Sequence, residues 1–187
     1  KKLSAEIRQA LEDLNFGQVR FDIEVRQTGN ITPDGAHEAE FMISVNPGEN
    51  LRPLAKIASG GELSRIILGI KAVLANKDDT DTLIFDEIDT GISGRTAQKV
   101  SEKMALIARS HQVICITHLP QIAAMADIHF LIEKNIKDGF TTTSINRLSD
   151  QEIITELARM LGGSQITDLV MDNAAQMKEF ADNLKKQ

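Results

Sequence analysis

Apolar residues recur along this chain in more than one rhythm, and each change of rhythm marks a change of element. Leu3, Ile7, Ala10 and Leu14 are spaced four, three and four apart, which aligns them on one side of a helix. That spacing suits the a and d positions of a coiled coil and an ordinary amphipathic helix equally well. Gly17 is the expected helix breaker. Val19, Phe21, Ile23 and Val25 then alternate with polar residues, as do Phe41, Ile43 and Val45. A period of two turns one side of a strand toward a core, and Thr32-Pro33-Asp34-Gly35 is turn chemistry, so the pattern predicts a hairpin of two half-buried strands. From Gly61 the period is helical again, with Leu63, Ile66, Ile67, Ile70, Val73 and Leu74 on one face. Residues 82–85 and 113–116 are short apolar runs that stop at Asp86-Glu87 and Thr117-His118, and a helix patterned on Ala97, Val100, Met104, Ile107 and Ala108 lies between them. Strand, helix, strand with apolar strands predicts a parallel pair covered on both faces. Residues 128–133 and 141–146 read as further strands about a turn at Lys137-Asp138-Gly139. Two helices close the chain, one ending near Gly162-Gly163 and one spanning about 168–184. The expected fold class is α/β, a mainly parallel sheet flanked by helices, with an antiparallel hairpin near the N-terminus.

Composition narrows what such a fold does. With 42% hydrophobic and 26% charged residues the chain has a globular balance, and no apolar run approaches the roughly 20 residues of a membrane span. Its start, Lys1-Lys2-Leu3-Ser4, has neither Met nor an apolar signal core and reads as the cut edge of a longer chain. Cys115 is the single cysteine, so a reducing cytoplasm is expected, with Cys115 acting as a small buried hydrophobe. The 27 acidic residues outnumber the 21 basic ones, and there is no Trp or Tyr. That disfavours a stand-alone nucleic-acid binder, so any DNA contact is local or lies elsewhere in the full protein.

Three constellations carry chemistry. Ser59-Gly60-Gly61-Glu62 opens the helix after Gly61. Glycines permit close backbone approach, and a helix N-terminus offers N–H groups to phosphate; the bland alternative is an N-cap followed by a glycine turn. Asp86 and Glu87 end a strand of the kind whose C-terminal end faces a nucleotide crevice. Asp86 there could hold magnesium through its waters and Glu87 could polarise an attacking water, against the alternative of two solvated acids. His118 ends the next apolar strand, where an imidazole could donate to a γ-phosphate or serve a structural role. His37, His111 and His129 have no comparable placement.

Taken in order, these parts resemble the ATP-binding-cassette ATPases. Ala58-Ser59-Gly60-Gly61-Glu62 is similar to their signature motif, 82–87 to Walker B, 88–93 to the D-loop and His118 to the switch histidine. Glu62, where transporters typically carry Gln, points to the SMC-like branch. Segments 86–94, 116–123 and 158–163 resemble bacterial SMC-like recombinational repair ATPases, and the likeness covers essentially the whole chain. The resemblance implies the C-terminal half of an ATPase head, with 1–187 as a single lobe. Within it, 1–16 would end a coiled-coil helix, 17–57 form the hairpin region and 58–187 carry the motifs. It implies ATP and Mg²⁺ as cofactors, Glu87 and His118 as catalytic residues, and Asp86 at the metal through water. Ser59, Gly60, Gly61 and Glu62 would meet ATP held by a second head, with Asp89, Thr90, Gly91 and Ser93 in the D-loop. Implied partners are an N-terminal Walker A half of the same protein, a second head, and DNA in the full-length protein acting in double-strand-break repair. The expected place is the cytoplasm, at the nucleoid, with no membrane.

Two departures stand out: Ala58 replaces a leading Leu and Ser93 replaces the common D-loop Asp. No Gly-x-x-x-x-Gly-Lys-Ser/Thr occurs in the sequence, so these 187 residues alone are expected not to hydrolyse ATP. A transporter's nucleotide-binding subunit is the runner-up, disfavoured by Glu62 and the apparent break through a coiled coil. A non-catalytic interaction domain is the other, disfavoured by the presence of both Asp86 and Glu87.

Overall fold

The computed structural model describes residues 1–33, 35–77, 79–137 and 140–186, without the side chains of Asn76, Ile136 and Lys137. They form two compact units, Lys1–Ile116 and Thr117–Gln187.

The first unit opens with α1 (Lys2–Asp13), whose buried side carries Ile7, Ala10 and Leu11. The helix stops earlier than Gly17: Asn15 turns to φ 69°, a left-handed conformation that Asn tolerates better than most residues. The apolar side of α1 lies on α2 (Gly60–Leu74). A Cβ at Gly69 would stand 2.9 Å from Leu11 Cδ2 and 3.4 Å from Leu14 Cδ1, so the glycine sets how closely the two helices approach. The buried side of α2 is also broader than its period implies. Ile66, Leu68 and Ile70 are buried, whereas Leu63, Ile67, Val73 and Leu74 are half-exposed.

The predicted hairpin forms from β1 (Arg20–Thr32) and β2 (Gly35–Ser44), antiparallel from Arg20↔Ser44, with β3 (Arg52–Pro53) on the far edge of β2. Asp34 of its turn lies outside the described residues. Val19, Phe21 and Ile43 are buried at the base, but Val25 is 61% and Ile31 89% exposed. The strands overrun the core they start from, so alternation outlasts burial.

β4 (Thr82–Phe85) and β5 (Gln112–Cys115) pair in parallel, Thr82↔Gln112 through Phe85↔Cys115, joined through α3 (Gly94–Ile107). This is the one parallel pairing among the described strands, the others being antiparallel. The fold class is α/β as expected, with its parallel part confined to this pair. Coverage is one-sided: Leu83 and Phe85 are buried, while Ile84, Ile114 and Ile116 form an exposed apolar row. On α3, Ala97, Val100, Met104 and Ile107 are buried, and Ala108 is an exposed C-cap.

The second unit contains α4 (Pro120–Ala124), the antiparallel pair β6 (Phe130–Lys137) and β7 (Phe140–Arg147), α5 (Asp150–Gly162) and α6 (Asp168–Lys185). Asp138 and Gly139 of the expected turn lie outside the described residues. Ser149 and Glu152 close a capping box on α5. Ala174 and Ala181 are the buried positions of α6. No helix among the described residues is long and apolar enough to cross a membrane.

His129 is buried and its Nε2 has no partner. Burial pushes its pKa down, and Lys178 and Lys185 push the same way, against a backbone hydrogen bond with Ala126 and the charge of Asp182. Lys178 pairs with Asp182 at 2.8 Å, and Lys185 with Asp127 at 2.7 Å. A base whose folded pKa is depressed contributes stability that is full above its unfolded value of about 6.5 and is lost as pH falls through it. Thermal melts should therefore show the melting temperature falling between pH 7.5 and 5.5, with a smaller slope in His129→Gln. An unchanged slope in that variant would assign the effect to another group.

Candidate active site

The site is built where the first turn of α2 meets the chain that leaves β4. Ser59 is the N-cap of α2, its Oγ accepting from the Glu62 N–H at 3.4 Å. Ser59 thus caps the helix, and Gly61 after it answers a steric demand. A Cβ at Gly60 would sit 2.6 Å from Glu87 Oε2, and one at Gly61 would sit 2.9 Å from the Glu87 carbonyl oxygen and 3.0 Å from Thr90 Cβ. The Gly61 contact is with fixed backbone and leaves no room for a side chain, whereas the Gly60 contact is with the end of a flexible side chain that can swing aside. One turn on, Ser64 Oγ donates to the Asp86 carbonyl at 3.0 Å.

Past Phe85 the chain turns sharply. Asp86 and Glu87 are exposed, and Asp86 Oδ1 accepts from the Glu87 N–H at 2.9 Å. Glu87 has φ 57°, a left-handed conformation costing a non-glycine residue about 1–2 kcal/mol, held by its surroundings. Its carbonyl accepts from the Thr90 N–H at 3.0 Å, closing a turn. Ile88 and Asp89 point inward, 0% and 4% exposed. Arg65 of α2, 8% exposed, closes the turn from below, Nη1 donating to the carbonyls of Ile88 at 3.2 Å and Thr90 at 2.9 Å. Its guanidinium lies 5.7 Å from the centre of the Phe16 ring. Burial lowers the Arg65 pKa and Glu62 opposes that shift. Gly91 at φ 73° and Gly94 at φ 50° carry the chain into α3 through backbone that L-residues avoid, with Ser93 as the extended N-cap between them.

Of the residues singled out in the sequence, the structure brings Ser59, Gly60, Gly61, Glu62, Asp86, Glu87, Asp89 and Thr90 to one place, with Gly91 and Ser93 leading away. His118 is exposed and belongs to the second unit, ahead of α4. Arg65 and Ser64 were not singled out. Their signal was available: Arg65 lies midway between Gly61 and Gly69 at helical spacing, a charge on a row of glycines. Cys115 of β5, half-buried, has its thiol pushed up to about 12 by burial, then by Asp89 and Asp86, which disfavours the thiolate.

Glu62, Asp86, Glu87 and Asp89 make the cluster electronegative, and a polyphosphate approaching it needs a cation. Among the described residues no group of three or more His, Cys, Asp or Glu could hold a metal. Magnesium needs as little as one carboxylate and keeps several waters, and Asp86, exposed with Oδ1 accepting from the Glu87 N–H, is the residue that would offer it.

No protein-family model matches the chain. Curated relatives do. It is 43% identical over 200 residues to the DNA repair protein RecN of Bacillus subtilis, covering 99% of this chain and 35% of that protein. It is 44% identical over 178 residues to RecN of Vibrio cholerae, covering 95% of this chain and 32% of that one. The chain thus spans about a third of the length of the curated relatives it matches. Among solved structures it is similar to an Smc head domain with coiled coil from Pyrococcus yayanosii, with TM-score 0.57 and 18% identity over 83% of this chain and 28% of that one. A structure of SMC ATPases described for ATP-driven dimerization gives TM-score 0.51 and 20% identity over 87% of this chain and 92% of that one. These likenesses show the fold, that of an SMC head.

Two measurements test this geometry. Gly61→Ala should destabilise by about 1–3 kcal/mol through overpacking, seen as a lower urea midpoint, while Gly17→Ala, with nothing within 4 Å, should leave it unchanged. Equal midpoints would mean the helix and the turn are not in contact. At pH 8 the raised Cys115 pKa leaves roughly a thousandfold fewer thiolates than an ordinary cysteine. Iodoacetamide should accordingly label the native protein far more slowly than the urea-unfolded one, and equal rates would refute the burial of the thiol.

Proposed function

Since the chain matches the C-terminal part of RecN-type DNA repair proteins and has the fold of an SMC head, we propose that it is the Walker B and signature half of an ATP-hydrolysing head acting in recombinational DNA repair. The observation that carries this reading is the exposed Asp86-Glu87 pair at the end of β4, held against the glycine turn of α2. Asp86 would hold magnesium through water. The ion, once bound, would neutralise charge on the β- and γ-phosphates. Glu87 would accept a proton from a water whose oxygen attacks the γ-phosphorus, while the bond from that phosphorus to the β-phosphate oxygen breaks and ADP leaves.

His118 would donate to the γ-phosphate as charge develops. Ser59, Gly60, Gly61 and Glu62 would meet nucleotide held by a second copy of the head, and Thr90, Gly91 and Ser93 would line the joint between copies, with Asp89 supporting them from within. A P-loop is also required. A Walker A half of the same protein would supply it and cover the apolar row of Ile84, Ile114 and Ile116. DNA would be engaged by the whole protein, at the nucleoid, because these residues are too acidic for broad phosphate contact.

In the full-length protein, Glu87→Gln should leave ATP binding intact and cut steady-state hydrolysis about 10²–10⁴-fold, the range for losing a general base. Asp86→Asn should weaken binding as well as turnover. Near-normal hydrolysis by Glu87→Gln would sink the assignment of Glu87 as base.

A further inference from the structure

Arg65 is a charged side chain in a packed interior, where a hydrophobic residue of similar volume would normally serve stability as well or better. What a guanidinium adds is direction: rigid N–H groups that reach carbonyls no methyl can hold. The carbonyls it reaches, Ile88 at 3.2 Å and Thr90 at 2.9 Å, flank the turn that immediately follows Glu87. Glu87 itself sits at φ 57°, a backbone that persists only where neighbours hold it. The guanidinium also faces the ring of Phe16, which lies just past the Leu14-Asn15 turn that ends α1. At the same junction Asn15 Nδ2 donates to Thr96 Oγ1 of α3 at 3.0 Å. One side chain thus touches the helix carrying the signature turn, the D-loop backbone and the base of α1.

We infer that Arg65 is a positioning residue for Glu87: it fixes the 88–90 backbone from which Glu87 projects, and through Phe16 it makes that geometry depend on where α1 sits. The inference rests on the reading of Glu87 as the group that activates water. It predicts a defect in the chemical step, since Arg65 lies beneath the turn and nucleotide would be gripped elsewhere.

The test uses the full-length protein with Mg²⁺ and ATP, measuring kcat, equilibrium ATP affinity and melting temperature for Arg65→Met, Arg65→Lys and Phe16→Leu, each alone and with Glu87→Gln. Arg65→Met should lower kcat about 10- to 100-fold, the scale of a small misplacement at a reacting centre, with affinity within about twofold. Arg65→Lys keeps the charge but loses the fork, so it should fall between. Phe16→Leu keeps the cation and an apolar neighbour, and should move kcat in the same direction. In the Glu87→Gln background Arg65→Met should add no further loss, because both act through one group. Suppose Glu87→Gln abolishes turnover while Arg65→Met and Arg65→Lys keep wild-type kcat: the inference then fails and the function stands. Additive losses, or equal losses of affinity and kcat, would reduce Arg65 to a structural role and overturn it. Should Arg65→Met not fold, unchanged kcat in both Arg65→Lys and Phe16→Leu refutes the inference. If Glu87→Gln leaves turnover intact, the functional reading falls and takes this inference with it.

Discussion

Backbone-to-backbone approach between the first turn of α2 and residues 86–90 governs the rest of the first unit. At that range no side chain fits at position 61, where a Cβ would meet the carbonyl oxygens of Glu87 and Thr90. Once the two segments touch, Ser64 reaches the Asp86 carbonyl and Arg65 reaches those of Ile88 and Thr90. The same α2, fixed at its N-terminal end, presents Gly69 to Leu11 and Leu14 two turns further on. Helix–helix distance, strand-end geometry and the left-handed turn at Glu87 thus follow from one contact.

What the sequence made legible were features whose cause is local. The acids ending an apolar strand, the Ser59 cap and the turn residues of the hairpin act within a few residues of themselves. What it hid depended on distant packing. The alternation of Val19, Phe21, Ile23 and Val25 is continuous, yet burial ends midway because the core does. Asn15 ended α1 ahead of the expected Gly17 since a left-handed residue was needed two positions earlier. The burial of Arg65 depends on residues 88–90 folding over it, a contact more than twenty residues away in the chain. The expectation of a mainly parallel sheet extrapolated from β4 and β5, whose pattern carries no information about how the other strands pair.

Electrostatics in the two units work in opposite senses. The first brings Glu62, Asp86, Glu87 and Asp89 together above the buried guanidinium of Arg65. The second buries His129 near Lys178 and Lys185, which lowers its pKa, while Asp182 and Asp127 pair with those lysines. One concentrates negative charge at a surface; the other disfavours the charged form of a base.

The closeness of Gly61 to Glu87 and Thr90 changes how genetic data at this glycine are to be interpreted. An added side chain there presses on the chain's own backbone at residues 87–90 before any ligand arrives. Loss of function in such a mutant therefore does not by itself map a ligand contact. A suppressor that relieves the crowding at residues 87–90 is the genetic tool that separates the two.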